Sequence, residues 1–309
     1  MTSTIISRLH GKPIIYGEVL FDIFPDDSKI LGGAPFNVGW HLQGFNLAPL
    51  IISRVGRDIE GQDVLDAMKD WGLDTRGIQR DAVFPTGGVE ITMQGTDHQF
   101  DIRAEQAYDH VDYELLTESI RDQHLSLIYL GSLIIRNQAS RETLERLLRE
   151  KNLPVFVDIN LRDPWWDAAT VNGILSRARW AKLNDEELAT IIPGTVQSEE
   201  QDLIRAANEA LSRFELDAVV VTRGAEGAFI TTPDGTVGGK PPPVEHLVDT
   251  VGAGDAFCAV TLFGLHAGWS ASEIIGRALA FAAEICKQRG ATAANRQLYE
   301  NTYVSWSSE

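Results

Sequence analysis

One stretch of this 309-residue chain reads DTVGAGDAFCAV, from Asp249 to Val260, and it carries the strongest signal for fold and chemistry. Gly252, Ala253 and Gly254 leave little side-chain bulk where a helix is expected to begin, so backbone N–H groups there can close around an anion. The first turn of a helix also has N–H donors without partners and a partial positive charge of about half a unit. The stretch therefore predicts an anion hole at a helix N-terminus.

Asp255 follows directly after these glycines, at the mouth of the predicted anion hole. A carboxylate in that position can take a proton from a hydroxyl while the hole holds a transferring phosphoryl group. A helix N-terminus lowers the pKa of a nearby acid, so we expect Asp255 to be ionised at neutral pH. The alternative is an ordinary acid at the start of a helix, stabilising it by a few tenths to about 1 kcal/mol. Taken alone, an acid after a glycine-rich turn favours the ordinary helix acid, and only the longer pattern described below favours the base.

The composition is that of an ordinary globular enzyme, with 44% hydrophobic and 23% charged residues. A formal net charge of -17 argues against nucleic acid as a partner, because binding it needs a positive field. Cys258 and Cys286 match neither a zinc site nor a disulfide framework, so we expect buried reduced thiols. No targeting segment and no apolar run of about 20 residues is visible, which predicts a cytoplasmic protein without a membrane partner.

Short apolar runs alternate with longer helical patterns along the chain, as in βαβ units with a parallel sheet. The predicted strands are 13–16, 49–55, 125–130, 155–159, 180–183 and 218–222, each followed by a turn and a helical stretch. The predicted helices are 60–71, 141–151, 198–214, 256–267 and 271 to about 289. Residues 86–103 differ: they read as two strands with Gly95 near the turn, a β element of the kind that covers a site as a lid.

A second glycine-rich segment, GGAPFN, runs from Gly32 to Asn37. Two adjacent glycines let the backbone approach a ligand closely, and an asparagine side chain offers both donors and an acceptor. Gly33 completes the pair. Such segments are common in plain turns, so the segment is weak evidence by itself.

Together, the two segments resemble the signatures of the ribokinase-like (PfkB) carbohydrate kinase family, whose second signature reads D-T-x-G-A-G-D. The matching motifs run in family order over nearly the whole chain, and the form of several is closest to the fructokinase and 2-keto-3-deoxygluconate kinase branches. The resemblance implies one three-layer α/β/α domain over residues 1–309, with a central mostly parallel sheet and a small β-sheet lid built from about 14–36 and 86–105. It also implies an ATP-dependent kinase that uses Mg²⁺, with a monovalent cation such as potassium (K⁺) as a further cofactor.

The resemblance assigns roles to individual residues. Asp255 would be the catalytic base, and Gly252, Ala253 and Gly254 the anion hole. The sugar would be bound by residues of the N-terminal segment, the lid and the D-x-N-x-R stretch: Asp22, Gly32, Gly33, Asn37, Arg103, Asn160 and Arg162. The nucleotide side would comprise Asn184, Thr222, Gly224 and Gly227.

Two cation sites are also implied by the resemblance. Glu187, of the N-x-x-E motif, would organise Mg²⁺ through water, which suits an ion that prefers oxygen ligands and keeps several waters. The alternative for Asn184 and Glu187 is a helix capping box, and both roles can hold at once. A monovalent cation would lie near Asp249 and Thr250, with its second half around 289–292.

The substrate and assembly stay open at this level. The form of the motifs favours fructose, and 2-keto-3-deoxygluconate, another sugar or a nucleoside is the alternative. From a different class, the chain could be a sugar- or nucleotide-sensing protein on the same scaffold, since a fold alone does not prove activity. A Rossmann dehydrogenase is excluded because no G-x-G-x-x-G follows the first strand. We expect a homodimer, formed through exposed lid strands such as 88–93.

Overall fold

The computed structural model describes residues 8–94, 97–197 and 199–307. In chain order, the strands are β1 (Lys12–Tyr16), β2 (Leu20–Ile23), β3 (Lys29–Gly32), β4 (Leu50–Gly56), β5 (Ile78–Asp81), β6 (Gly87–Gln94), β7 (Asp97–Ile102), β8 (Leu125–Gly131), β9 (Val155–Asp158), β10 (Trp180–Asn184), β11 (Ala218–Thr222), β12 (Ala228–Thr232) and β13 (Gly235–Gly239). The helices are α1 (Ala34–Gly44), α2 (Ile59–Trp71), α3 (Tyr113–Ser119), α4 (Gln138–Glu150), α5 (Ala168–Leu175), α6 (Asp185–Ile191), α7 (Glu200–Arg213), α8 (Ala253–Ala267), α9 (Ala271–Ile285) and α10 (Arg296–Ser307).

The central sheet has nine strands in the order β13-β12-β11-β10-β9-β8-β1-β4-β5. Its strands are parallel from β11 to β5, and only β12 and β13 run antiparallel, at one edge. From β1 the chain first builds outward through β4 and later returns to the other side of β1 with β8. In sheets of this kind, ligands bind beyond the carboxyl ends of the strands, where the order reverses.

Both faces of the central sheet are buried, which explains why its strands read as continuous apolar runs. Alternate residues of one strand enter opposite cores: Ile15 of β1 packs into one cluster, and Ile14 and Tyr16 pack into the other. Residues of α1, α8 and α9 fill the first cluster, and residues of α4, α5 and α7 fill the second. This is the predicted three-layer α/β/α arrangement.

A separate small sheet has the order β3-β2-β6-β7. Its β2–β3 and β6–β7 pairs are antiparallel, and β2 runs parallel to β6. The predicted lid strands are thus present, but the predicted lid bounds 14–36 are too wide, since they include β1 of the central sheet and the start of α1. The proposed dimer edge at 88–93 is also wrong: β6 lies between β2 and β7, so the edge strands are β3 and β7. The turn predicted at Gly95 lies outside the described residues.

The predicted strands of the body agree with the structure to within about one residue at each end, and the helices to within a few. The last predicted helix, 271 to about 289, ends at Ile285, and the start predicted at residue 198 falls outside the described residues. The rule that a helix follows each strand fails at β11, which leads through a short 3₁₀ turn into β12. Cys258 and Cys286 are free and buried, as predicted. Within the described ranges, no helix is both long enough and apolar enough to cross a bilayer.

Candidate active site

A cavity of about 470 Å³ lies between the small sheet and the carboxyl edge of the central sheet. It is lined from the body by the loops after β1, β8, β9, β10 and β11 and by the starts of α1 and α8. The small sheet contributes Asp22 and apolar side chains of β2, β6 and β7. The lining residues predicted from the sequence are Asp22, Gly33, Asn37, Asn160, Arg162, Asn184, Glu187, Thr222, Gly252, Gly254 and Asp255. Most of the predicted site residues therefore meet in one place.

Asp255 lies in the first turn of α8, where this helix opens onto the cavity. Its Oδ2 atom accepts a hydrogen bond of 2.8 Å from Nδ2 of Asn37, which belongs to α1. The expectation of a lowered pKa is wrong: burial raises the pKa of Asp255 to about 6, although the Asn37 hydrogen bond acts in the opposite direction. A carboxylate with this pKa is still mostly ionised at neutral pH, and its affinity for a proton is better matched to a general base.

The anion hole predicted before Asp255 is formed by the start of α8. Gly252 is the N-cap, with φ of 79°, and a Cβ there would lie 2.3 Å from Cα of Ala291, so only glycine fits. The first helical hydrogen bond runs from Ala256 N–H to the Gly252 carbonyl, so the N–H groups of Gly254 and Asp255 precede the helical ladder. The N–H of Ala253 already donates to the Thr250 carbonyl, at 3.2 Å. The usable donors are therefore those of residues 254 and 255.

Gly254 differs from Gly252 in what surrounds it. Apart from the adjacent residues and the nearby backbone of α8 itself, no heavy atom lies within 4 Å of the position that a Cβ would take. A side chain at Gly254 would therefore project into open space. Gly254 also lines the cavity. Its lack of a side chain keeps this space free for a ligand beside Asp255.

On the side of the small sheet, Asp22 of β2 and the Gly32–Gly33 pair lie close to Asn37. A Cβ at Gly32 would stand 3.8 Å from Oδ2 of Asp22 and 3.9 Å from Oδ1 of Asn37, so any side chain would enter the space between them. Burial raises the pKa of Asp22, and the positive charge of Arg162 partly offsets this. Oδ1 of Asn37 is buried and has no hydrogen-bond partner among the described residues. These polar atoms are available to a hydroxyl-bearing ligand.

The loop after β9 brings Asn160 and Arg162 to the cavity. Asn160 has a φ of 42°, in the left-handed region, and its carbonyl accepts a hydrogen bond of 3.2 Å from Ser132 Oγ. Arg162 is exposed, and its positive charge acts to lower the pKa of both Asp22 and Asp255. Arg103 does not line the cavity: it forms a 2.7 Å ion pair with Glu90 on the neighbouring lid strand. The structure therefore supports a site position for two of the three predicted side chains.

Asn184 and Glu187 join β10 to α6 through a complete capping box. Asn184 Oδ1 accepts from the Glu187 N–H at 2.7 Å, and Glu187 Oε2 accepts from the Asn184 N–H at 2.8 Å. Glu187 Oε1 accepts from the Leu161 N–H, also at 2.8 Å, so this carboxylate ties the loop after β9 to α6. Both side chains line the cavity, so capping does not remove them from a ligand.

Thr222, at the end of β11, lines the cavity, whereas Gly224 and Gly227 do not. Gly227 has a structural reason for being glycine, since its φ is 101° and a Cβ would lie 2.0 Å from the Gly239 carbonyl oxygen. Gly224, with φ of 51°, is exposed in the turn after β11. The predicted nucleotide turn is thus present, but only Thr222 is part of the cavity wall.

The two predicted halves of the monovalent cation site do meet. Asp249 Oδ2 accepts a hydrogen bond of 3.1 Å from the Gly290 N–H, and its Oδ1 accepts one of 3.0 Å from the Val251 N–H. Thr250 is exposed and contributes its carbonyl to the turn before α8. The structure brings residues 249–250 beside residue 290, as the resemblance requires.

Sequence reasoning missed two charged residues that line the cavity, Glu18 and Lys182. Lys182 of β10 donates to Asp158 Oδ1 at 2.7 Å, and both side chains are buried. Burial lowers the pKa of Lys182, but the Asp158 carboxylate outweighs it and the net shift is upward. A lysine inside a predicted apolar strand was the signal for this pair, since such a residue needs a partner. Lys182 adds a positive charge to the cavity of a chain whose net charge is -17.

The geometry combines a half-buried carboxylate, the N-terminus of a helix and a polar cavity at the carboxyl edge of a parallel sheet. This arrangement suits an enzyme that transfers a phosphoryl group to a hydroxyl group. The chain matches the model of the pfkB family carbohydrate kinase over residues 18–298 and belongs to that family.

Similar proteins support this assignment. The chain is 29% identical to a fructokinase of Klebsiella pneumoniae over 274 residues, covering 84% of this chain and 86% of the relative. It is 27% identical to a putative sugar kinase of Pyrococcus horikoshii over 273 residues, covering 84% of each. Among solved structures, a double mutant of the fructokinase of Vibrio cholerae O395, bound to fructose, ADP and potassium, matches with a TM-score of 0.78 and 26% identity. That match covers 96% of this chain and 99% of the other.

Proposed function

We propose that this sugar kinase transfers the γ-phosphate of ATP to a primary hydroxyl of fructose, with Asp255 as the base. The observation that carries the proposal is the position of Asp255. It is half-buried at the start of α8, beside N–H donors that precede the helical ladder, in a cavity that also holds the hydroxyl-binding atoms of Asp22 and Asn37. A structural acid at a helix N-terminus gains nothing from burial, whereas a base that must accept a proton does.

The proposed reaction assigns one task to each group. Asp255 accepts the proton of the sugar hydroxyl as its oxygen attacks the γ-phosphorus in line, and the bond to the leaving ADP oxygen breaks. The N–H groups of Gly254 and Asp255 face the charge that develops on the transferring phosphoryl group. Lys182, which also lines the cavity, can donate hydrogen bonds to a phosphate oxygen while it remains paired with Asp158.

The residues present fit a Mg²⁺ ion held mainly by substrate phosphates and water. Among the described residues, no group of three His, Cys, Asp or Glu side chains could hold a metal by itself. Glu187 lines the cavity with both oxygens already accepting backbone N–H groups, which leaves it suited to bonding a metal-bound water rather than the metal. When bound, the ion would neutralise phosphate charge. Asp249 and residue 290 would hold the monovalent cation through nearby backbone carbonyls.

Fructose is favoured as the substrate because most of the relatives with a named substrate are fructokinases, although an aminoimidazole riboside kinase and a 2-dehydro-3-deoxygluconokinase are also similar. The polar atoms of Asp22 and Asn37 in the cavity can bond the hydroxyl groups of a neutral sugar. One observation keeps a sugar acid such as 2-keto-3-deoxygluconate as the second candidate. Arg162 lines the cavity, and among the described residues it forms no ion pair. A guanidinium group so placed can bind a substrate carboxylate bidentately.

Homodimerisation through the small sheet stays part of the proposal, with its surface revised. The edge strands available for pairing are β3 and β7 rather than β6. Sedimentation of the purified chain tests it, and a monomer at micromolar concentration would contradict it.

The test of function is ADP release with Mg·ATP and a panel of fructose, ribose, 2-keto-3-deoxygluconate and adenosine, run on the wild type, Asp255→Asn and Glu114→Gln. Glu114 is a matched control, because it is also an acid in the first turn of a helix but is exposed and outside the cavity. We expect fructose turnover that falls by about a hundred- to ten-thousandfold in Asp255→Asn and is unchanged in Glu114→Gln. Turnover of another member of the panel only would contradict fructose. Ligand binding without any turnover would indicate a sensor and refute the role of Asp255.

A further inference from the structure

Glu18 lies in the short connection between β1 of the central sheet and β2 of the small sheet, where the chain passes from one to the other. The connection is anchored at Gly17, whose N–H donates to the Ile52 carbonyl at 3.1 Å. Glu18 lines the cavity from this position. It is therefore an acid at the junction of lid and body, facing the same space as Asp255.

The backbone around Glu18 is tightly packed. A Cβ at Gly33 would lie 2.8 Å from the Glu18 carbonyl oxygen and 3.5 Å from its Cγ, and Gly33 has a φ of 104°. A Cβ at Gly17 would lie 2.2 Å from the ring of Pro35, at the start of α1. Gly33 therefore packs closely against the backbone and Cγ of Glu18, and a larger residue at position 33 would displace Glu18.

The Glu18 carboxyl group is not satisfied by the protein. The residue is only 4% exposed, and its Oε2 atom has no hydrogen-bond partner among the described residues. A buried polar atom without a partner costs free energy, and buried polar atoms in proteins are nearly always paired. Asn37 Oδ1, in the same cavity, is in the same state. Because both residues line the cavity, a ligand bound there can supply the missing hydrogen bonds.

We propose that Glu18 is a further sugar-binding residue, whose Oε2 atom forms a hydrogen bond with a hydroxyl group of the substrate beside Asp255. The inference rests on the proposed sugar kinase function and adds to it a contact on the lid side of the cavity. The ligand class is a polyhydroxy compound, because a hydroxyl can donate to the ionised carboxylate and accept from the protonated acid.

The electrostatic surroundings are consistent with this role. The pKa of Glu18 is raised to about 7, mainly by burial and to a smaller extent by the charge of Asp255, while a backbone hydrogen bond, Arg162 and Arg136 act in the opposite direction. Both forms of the acid are therefore populated near neutral pH. A group that only paired with an arginine would be ionised throughout that range.

The test compares Glu18→Ala, Glu18→Gln and the matched acid variant Glu114→Gln with the wild type. Fructose affinity is measured directly by calorimetry without nucleotide, and KM for fructose and for ATP is measured by ADP release. We expect Glu18→Ala to weaken fructose binding and raise its KM by about ten- to a hundredfold, with the KM for ATP changed by less than about threefold. Glu18→Gln keeps a donor and an acceptor at the same place, so it should recover most of the loss. Glu114→Gln should behave as the wild type.

Equal fructose affinity in Glu18→Ala and the wild type would overturn the proposal. So would equal losses for fructose and ATP together with a lower unfolding temperature, since that pattern describes a structural residue. If the wild type binds fructose without phosphorylating it, the kinase mechanism fails, and the binding comparison still decides the role of Glu18. If the wild type binds none of the panel sugars, both proposals are refuted.

Discussion

The two sides of the cavity treat their polar groups in opposite ways. The lid side comprises Glu18, Asp22 and Asn37, and the strand side comprises Lys182, Asn184, Glu187 and Thr222. On the strand side, Lys182 is paired with Asp158, and Asn184 and Glu187 bond each other's backbone. On the lid side, Glu18 Oε2 and Asn37 Oδ1 have no partners among the described residues. The strand side is complete without a ligand, whereas the lid side is completed by one.

This difference separates two ways in which a polar residue serves a site. Residues on the strand side hold the backbone of two loops in place, so their loss should cost stability as well as binding. Residues on the lid side are kept in an unfavourable state by burial, so their loss should cost function while stability stays the same or rises. Active sites commonly show this second pattern. The predictions below test that contrast.

The largest stability effect is expected at Lys182. Replacing it with Met leaves the Asp158 carboxylate buried and unpaired, which should lower the free energy of unfolding by about 3–5 kcal/mol. Urea denaturation monitored by tryptophan fluorescence measures this. The matched control is Arg179→Met, which breaks the exposed pair with Asp217 beside the same strand and should cost less than about 1 kcal/mol. Similar losses of unfolding free energy in the two variants would contradict a stabilising role for the buried Lys182–Asp158 pair.

A smaller effect of opposite sign is expected at Glu18. Its folded pKa of about 7 exceeds the unfolded value of 4.5, so the stability it contributes is fully present below about pH 4.5 and is lost as the pH rises through about 7. Glu18→Gln does not titrate and should therefore be more stable than the wild type at about pH 8, by at most about 3 kcal/mol, with little difference near pH 4.5. Thermal unfolding at the two pH values measures it. A destabilised Glu18→Gln at about pH 8 would show that the carboxylate is satisfied after all.

The smallest effect is expected at the cap of α6. Asn184→Ala removes the hydrogen bond to the Glu187 N–H and should cost about 1 kcal/mol of stability. Asn137→Ala removes the equivalent cap of α4 and should cost a similar amount. Only Asn184→Ala should also raise the KM for ATP, because only Asn184 lines the cavity. An unchanged KM for ATP in both variants would show that Asn184 only caps α6 and does not contact the nucleotide.

The sequence predicted the body of the fold well because buried parallel strands are continuous apolar runs that can be recognised locally. It failed to predict α1, whose Pro35, Gly39 and Gly44 disguise a helix that is held by packing against α8. The β12–β13 hairpin was missed because short antiparallel edges carry a weak pattern. Local pattern thus captures the layers and not the elements that depend on tertiary contacts.

The site shows the same division. The motif around Asp255 placed the acid at the start of a helix, which is a local property, and the structure agrees. The direction of its pKa shift was predicted wrongly, because desolvation in the folded cavity raises the pKa and is not visible in the local sequence. The hydrogen bond from Asn37, 218 positions away along the chain, only partly offsets this rise. Glu18 went unnoticed since nothing in its neighbouring residues reveals that the lid junction buries it.

The pH dependence of kcat/KM for fructose, measured for the wild type and Asn37→Ala, tests the role of Asp255 most directly. The parameter kcat/KM reports ionisations of the free enzyme and substrate, so activity should fall as the pH drops through about 6, where Asp255 gains a proton. Removing Asn37 removes the hydrogen bond that lowers the pKa of Asp255, so the same fall should begin at higher pH in the variant. An acid limb that is absent, or that stays in place when Asn37 is removed, would contradict Asp255 as the base.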